Sequence, residues 1–185
     1  NAVRGKGTEK LSENAVKLVN LAEPLLKDRY PASAFDAARK FVSDPNGKWM
    51  QYAYRAINEI DPHVLKMNAL NLVYEGMFSG YNYVCELRKK YDCNMPWILL
   101  FDPTSACNLH CTGCWAAEYG NKLNLTYEEM ASVIRQGRSL GVYFYMFTGG
   151  EPLVRKKDII RLCGEFNDCQ FLAFTNGTLV DEAFC

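Results

Sequence analysis

Three short, continuous apolar runs constrain this chain more than any other feature. They are Trp97-Ile98-Leu99-Leu100-Phe101, Val142-Tyr143-Phe144-Tyr145-Met146-Phe147 and Cys169-Gln170-Phe171-Leu172-Ala173-Phe174. Such runs read as strands buried on both faces. Helical segments separate them. Thr126-Tyr127-Glu128-Glu129 supplies a capping box, Met130, Val133, Ile134, Gly137 and Leu140 follow on one face, and Gly141 ends the helix. Ile159, Ile160, Leu162, Cys163 and Phe166 mark the second helix. Strand, helix, strand, helix, strand with short connections implies βαβ units and a parallel sheet, an α/β fold. Ligands of such folds gather beyond the carboxyl ends of the strands. Here that region is Asp102–Leu125, Thr148–Arg155 and Thr175–Asp181, and every chemically suggestive residue falls in it.

Residues 1–95 read differently, as an all-helical region preceding a core at 96–185. Leu11, Ala15, Leu18, Val19, Ala22 and Leu26 keep a helical period, with a kink or break expected at Pro24. Ser33 is a candidate cap for a short helix, and Asp44-Pro45-Asn46-Gly47 is a turn signal. Trp49, Tyr52, Ala53, Ala56, Ile57 and Ile60 form the next stripe. Asp61-Pro62 opens a helix carrying Val64, Leu65, Ala69, Leu72 and Val73, and a last helix is expected from Tyr81 to Tyr91.

Composition excludes several classes. A chain of 185 residues that is 49% hydrophobic carries enough apolar mass for a packed core. Its 21 basic and 21 acidic residues cancel, which argues against nucleic-acid binding through bulk positive charge. No apolar run approaches the roughly 20 residues of a bilayer span, and no secretory signal is legible, so a cytoplasmic location is expected. Eight cysteines without such a signal favour metal binding or catalysis over a disulfide framework.

Spacing sorts those cysteines. Cys107, Cys111 and Cys114 fall within one strand-end loop, the others being scattered. Thiolates are soft ligands that select zinc, Cu(I) or iron–sulfur clusters. A structural zinc site takes four ligands, whereas three local cysteines suit a cluster with one iron free for another ligand. Thr148-Gly149-Gly150-Glu151-Pro152 follows the second strand. Its glycines permit close backbone approach to a ligand, and its carboxylate suits an ammonium partner.

The spacing C-x3-C-x2-C resembles the signature of the radical S-adenosylmethionine (radical SAM) superfamily, and Gly149-Gly150-Glu151-Pro152 resembles its GGEP motif. The resemblance implies that Cys107, Cys111 and Cys114 hold three irons of a [4Fe–4S] cluster and that the amino and carboxylate groups of SAM chelate the fourth. It implies SAM contacts at Gly149, Gly150, Glu151 and Pro152. Thr175-Asn176-Gly177 resembles the strand-end triplet of molybdenum-cofactor-synthase-like members, which adds Asn176. The implied activity is reductive cleavage of SAM to a 5′-deoxyadenosyl radical that abstracts hydrogen from a substrate. A low-potential donor, flavodoxin- or ferredoxin-like, would supply the electron. The implied fold is the first three βα units of a partial (β/α)6 barrel. The run Asp102–Trp115 is closer still to a bacterial group that also has a helical N-terminal region. One position departs from the pattern: the residue before the third cysteine is Gly113, where many members carry an aromatic, and Trp115 is the nearest replacement.

Plainer readings stand beside these. The cysteine loop could hold zinc in a non-enzymatic binding or interaction module. Cys163 and Cys169 read as core thiols, Cys85 and Cys93 as core or surface thiols, and His110 as a loop side chain. Arg155-Lys156-Lys157 opposes a helix dipole, which suggests a compensating partner; the two readings are a solvated helix edge and a docking patch for an acidic electron donor or an anionic substrate. The chain starts Asn1-Ala2-Val3 and stops within Asp181–Cys185, which reads like a helix opening. The expectation is therefore a portion of a longer enzyme, carrying the cluster loop without being competent alone.

Overall fold

The computed structural model describes Gly5 and residues 7–28, 30–120 and 122–185; the side chains at 117 and 118 lie outside that description. The chain divides into two compact units, Asn1–Lys66 and Met67–Cys185. None of the described helices is long and apolar enough to cross a membrane.

The first unit contains α1 (Gly7–Leu26), α2 (Ala32–Val42) and α3 (Lys48–Glu59). Leu11, Phe35 and Met50 are its buried apolar side chains. The Ser12 hydroxyl donates to the Val42 carbonyl at 2.6 Å, and Arg39 pairs with Glu23 at 2.6 Å and Asp36 at 2.7 Å. α1 continues through Pro24 to Leu26, beyond the expected break. Pro24 has no N–H to donate to the Asn20 carbonyl, so α1 runs on to its end with that one bond missing. Pro31, not Ser33, occupies the N-cap of α2, and Ser33 lies in the first turn. The Asp44–Gly47 turn forms as expected, closed by the Gly47 N–H on the Asp44 carbonyl at 3.1 Å. Asp61 caps α4 (Pro62–Asn68), its carboxylate accepting the His63 N–H at 2.7 Å.

Met67 to Tyr91 is helical throughout: the end of α4, a π-helical segment Ala69–Ser79, then α5 (Gly80–Tyr91). The two helices expected from sequence are thus one run, and it lies in the same compact unit as the sheet, whereas the sequence reading begins the core at Pro96. Close packing explains why no break occurs. A Cβ at Gly80 would sit 2.4 Å from the Gly141 carbonyl and 2.6 Å from that of Glu75, so only glycine lets the helix cross there. The Asn71 amide donates to the carbonyls of Asn167 at 2.9 Å and Cys169 at 3.0 Å, tying the π segment to the start of the third strand.

β1 (Ile98–Phe101), β2 (Phe144–Phe147) and β3 (Gln170–Ala173) form a parallel sheet in that order. Leu99 pairs with Tyr145 and Tyr145 with Phe171, which sets the side chains of one face in rows. On that face Phe101, Tyr145, Phe147 and Phe171 stack at 5.7–6.0 Å. α6 (Tyr127–Ser139) and α7 (Lys156–Glu165) supply Met130, Ala131, Ile134, Ile159 and Leu162 to the same core. The strands are not buried on both faces as expected: Leu100 and Leu172, on the opposite face, are 59% and 39% exposed. Apolar side chains therefore line both faces, but helices cover one.

Local signals around α6 hold closely. Thr126 and Glu129 form the reciprocal capping box. Gly141, at φ +82°, allows the Val142 and Gly141 N–H groups to reach the carbonyls of Gly137 and Arg138 at 2.9 and 3.0 Å, a Schellman ending. Gly137 makes room for the buried Tyr145 hydroxyl, which donates within the core and would lie 2.5 Å from a Cβ there.

Cys169 and Cys163 pack in or against this core. Burial raises the Cys169 thiol to about 12 and the Cys163 thiol to about 11. An unfolded thiol ionises near 8.5, so the native state holds these protons where the unfolded chain releases them. The stability this gives is complete below about 8.5 and is lost as pH rises from there through 11 to 12. We expect iodoacetamide at about pH 8 to modify the exposed Cys93 and Cys185 readily in the native protein and to spare Cys163 and Cys169 until denaturant is added. Mass spectrometry of the digested protein checks this; fast native labelling of Cys169 would contradict the packing.

Candidate functional site

The site is built from the loops that leave the carboxyl ends of the three strands. After β1, Pro103–Ala106 pairs with Leu123–Leu125 as a stem: Ser105 N–H meets the Leu123 carbonyl at 2.8 Å and Leu125 N–H the Pro103 carbonyl at 3.0 Å. Thr104 is fully buried; its hydroxyl donates to Asn124 at 2.6 Å and accepts from the Ala106 N–H at 3.0 Å. The three cysteines lie on the arm above this stem. Cys111 is exposed, Cys107 and Cys114 are half-buried, and all are free thiols. Cys111 to Cys114 is a turn closed at 3.2 Å, with Gly113 at φ +75°. An aromatic there would be strained, which accounts physically for the departure seen in the sequence.

The loop after β2 docks directly onto the stem. Thr148, Gly150 and Glu151 donate their N–H groups to the carbonyls of Phe101, Thr104 and Ala106 at 2.8, 2.9 and 2.8 Å. A Cβ on Gly150 would lie 2.2 Å from the Ala106 carbonyl oxygen, and one on Gly149, at φ +98°, 2.7 Å from that of Thr104. Close approach is what the glycines provide, and the surface approached is the stem of the cysteine loop.

Glu151 is 1% exposed. Its carboxylate accepts from the Leu153 N–H at 2.9 Å, the Thr175 hydroxyl at 2.7 Å and the Asn176 N–H at 2.8 Å. It thereby joins the β2 and β3 loops. Pro152 is buried at the start of the short 3₁₀ turn Pro152–Arg155 that leads into α7. Asn176 reaches further: its side-chain amide donates to Asn108, between the first two cysteines, at 2.9 Å. The geometry thus brings Asn108, Gly150, Glu151 and Asn176 into one bonded assembly, with Cys107 and Gly149 adjoining it in the chain.

Sequence reasoning missed several members of that assembly, Thr104, Asn108 and Thr178, and saw Thr175 only as part of the strand-end triplet. Arg155 and Lys156 it noticed only for opposing a helix dipole, and the compensation is internal. Arg155 donates to the Leu125 carbonyl at 2.6 Å and pairs with Asp158 at 2.6 Å, while Lys156 donates to the Leu179 carbonyl at 3.2 Å and pairs with Asp181. These cations pin the β1 and β3 loops; Lys157 stays exposed. His110 is exposed.

A cleft of about 130 Å³ opens between these loops, lined by Asp102, Thr104, Trp115, Tyr119, Gly149 and Gly150 among others. Trp115 is 59% exposed and meets Tyr119 edge-on at 6.0 Å. Among the described residues, no three His, Cys, Asp or Glu side chains gather around a point that a single metal ion could occupy. A zinc ion needs its ligands so gathered. A polynuclear cluster takes each thiolate on a different metal atom, and three free thiols on one exposed loop fit that donor chemistry.

Strand-end loops carrying three thiols beside a glycine turn and a cleft make a candidate cofactor site on a parallel α/β sheet. Comparison with known proteins narrows the class. Residues 101–185 match the radical SAM superfamily, and this part of the chain belongs to it. The chain is 36% identical over 86 residues to the GTP 3',8-cyclase of Geobacter sulfurreducens, covering 43% of this chain and 26% of that protein. It is 36% identical over 84 residues to the GTP 3',8-cyclase of Alkaliphilus oremlandii, with 42% and 26% covered. Identity to the Fe-coproporphyrin III synthase of Methanosarcina barkeri is 34% over 91 residues, with 46% and 22% covered. The chain spans about a quarter of the length of these curated relatives. No solved structure matches it significantly.

Replacing Gly150 by Ala tests whether the two loops are pressed together as described. We expect a loss of roughly 1–3 kcal/mol in denaturant unfolding, because the added methyl meets backbone rather than a movable side chain. Wild-type stability in the Gly150→Ala protein would refute the docking.

Proposed function

We propose that this chain carries the cluster- and SAM-binding site of a radical SAM enzyme, with Cys107, Cys111 and Cys114 as the ligands of a [4Fe–4S] cluster. The observation that carries the proposal is the docking of Gly149-Gly150-Glu151 onto the stem of the three-cysteine loop, with a cleft beside both. A bound cluster and SAM supply reductive cleavage of the carbon–sulfur bond of SAM and hydrogen abstraction from a substrate carbon. The polypeptide binds, orients and excludes water. Gly149 and Gly150 present bare backbone to the cleft. Trp115 offers an exposed aromatic face where an adenine could stack, taking over from the position that Gly113 leaves empty. Glu151 and Pro152 contribute differently from the direct contacts that the resemblance implies. The carboxylate is occupied by three donors of this chain, so it acts on SAM by holding the glycine turn and the β3 loop in place. Asn176 stands at that loop. In this reading the three βα units are the start of a partial (β/α)6 barrel, and a low-potential reductant delivers the electron.

Anaerobic reconstitution with iron and sulfide tests the ligand assignment. The wild-type chain should take up iron and sulfide in equal amounts, and Cys107→Ala, Cys111→Ala and Cys114→Ala should each lose most of both. A Cys111→Ala protein that keeps a full cluster, or a wild type that takes up zinc and no iron, overturns the proposal. For SAM, calorimetry of the reconstituted protein should show Trp115→Ala binding roughly five- to tenfold more weakly than wild type. Unchanged affinity would remove Trp115 from the adenine site.

A further inference from the structure

Between the first two cysteines, Asn108 is held by a closed ring of hydrogen bonds. Its Nδ2 donates to the Thr178 hydroxyl at 2.7 Å, that hydroxyl donates to Asn176 Oδ1 at 2.7 Å, and Asn176 Nδ2 donates back to Asn108 Oδ1 at 2.9 Å. Each side chain in the ring both donates and accepts. The Thr178 N–H also donates to Asn176 Oδ1 at 2.9 Å, and the Asn176 N–H is anchored on the buried Glu151 carboxylate at 2.8 Å. The ring therefore connects the cysteine loop, across about 70 residues of sequence, to a fixed point in the core. The other hydrogen bonds described from Cys107 to Cys114 are local: Leu109 N–H to the Cys107 sulfur at 3.5 Å and Cys114 N–H to the Cys111 carbonyl at 3.2 Å. Local bonds of that kind shape a turn without placing it in space.

We propose that Asn108 is a positioning residue which, through Thr178 and Asn176, holds the Cys107–Cys111 span in its ligating arrangement before any cluster arrives. Its bearing on function rests on the cluster reading above, but its first test does not need a cluster. The two loops come from strands that are not neighbours in the sheet, so the ring bridges the glycine turn that separates them. A preordered loop avoids the ordering cost at the moment of loading. It also keeps the thiols from drifting to other metal ions or to one another.

The test uses the whole chain and three variants. Asn108→Leu keeps the volume and removes both bonds. Thr178→Val is nearly isosteric and removes the hydroxyl from the ring. Asn108→Asp keeps an acceptor for Asn176 Nδ2 and can accept from the Thr178 hydroxyl, so it should restore the link. In the metal-free protein, alkylation of the half-buried Cys107 should be about fivefold faster in Asn108→Leu than in wild type, the equivalent of roughly one hydrogen bond. Labelling of the core Cys169 should not change, which reports an intact fold. Asn108→Asp should return toward wild type, and the double variant with Thr178→Val should be no worse than Asn108→Leu alone, because both act on one ring. In the reconstituted protein, cluster loss to a chelator should accelerate by a similar factor in Asn108→Leu. Equal Cys107 rates in wild type and Asn108→Leu, or additive effects of the two substitutions, overturn the proposal. Failure of the wild type to take up a cluster would overturn the cluster reading instead, and the metal-free labelling would still decide the role of Asn108.

Discussion

A single buried carboxylate carries the architecture of this site. Glu151 is almost wholly removed from solvent, and the groups that face it in hydrogen-bond contact are two backbone N–H groups and one hydroxyl. Taking a carboxylate out of water costs several kcal/mol. Hydrogen bonds to a charged group return roughly 1.5–3 kcal/mol each, so three well-placed donors can offset that cost, while two would leave it marginal. The donors come from two places in the chain, the turn opening the helical segment after β2 and the loop after β3. Neither can move without exposing the others to an unmet charge. The glycine turn just before Glu151 is fixed by the same requirement, and the stem of the cysteine loop is fixed by the turn.

That chain of dependence explains why the glycines matter twice. Gly149 needs its left-handed backbone, and Gly150 needs the absence of a Cβ, because two backbones meet there at carbonyl contact distance. A turn made to lie against the cysteine stem also presents bare backbone to the cleft on its other side. The close approach read from the sequence as a property of ligand binding is therefore first a property of loop packing, and the open side of the turn follows from it. Gly113 is a different case: nothing crowds it, and the positive φ of the turn between Cys111 and Cys114 is its whole justification.

Much of the α/β half was legible because its signals are local. Thr126 and Glu129 lie three residues apart and answer each other. Gly141 ends its helix by its own conformation, and the three apolar runs become the three strands in a parallel order. The cysteine and glycine motifs were legible for the same reason, since each occupies a few consecutive positions. What escaped depended on contacts between distant segments. The uninterrupted helix through Gly80 depends on a crossing with Gly141, a contact between segments far apart in the chain that leaves no local signal. Arg155 and Lys156 looked like surface charge because, Asp158 apart, their partners (the carbonyls of Pro103, Leu125 and Leu179 and the carboxylate of Asp181) lie 23 to 52 residues away. Asn108 and Thr178 carry no local signature. A polar side chain between two cysteines reads as solvated until the loop that receives it is in place.

The one-sided burial of the sheet bears on how the site keeps its shape. α6 and α7 cover the face that carries Phe101, Tyr145, Phe147 and Phe171, so the strand ends are held rigidly from that side. The loops then rise from a sheet whose other face is apolar and open at Leu100 and Leu172. Rigidity at the site thus comes from the helical layer and from the bonds among the loops themselves. This division separates two kinds of damage. A substitution in the aromatic stack loosens the whole unit, whereas one in the ring of Asn108, Asn176 and Thr178 frees the cysteine loop from a platform that stays folded. The chemistry proposed for the three thiols depends on the second kind of order, because cysteines on an untethered loop have no defined spacing to offer a cluster.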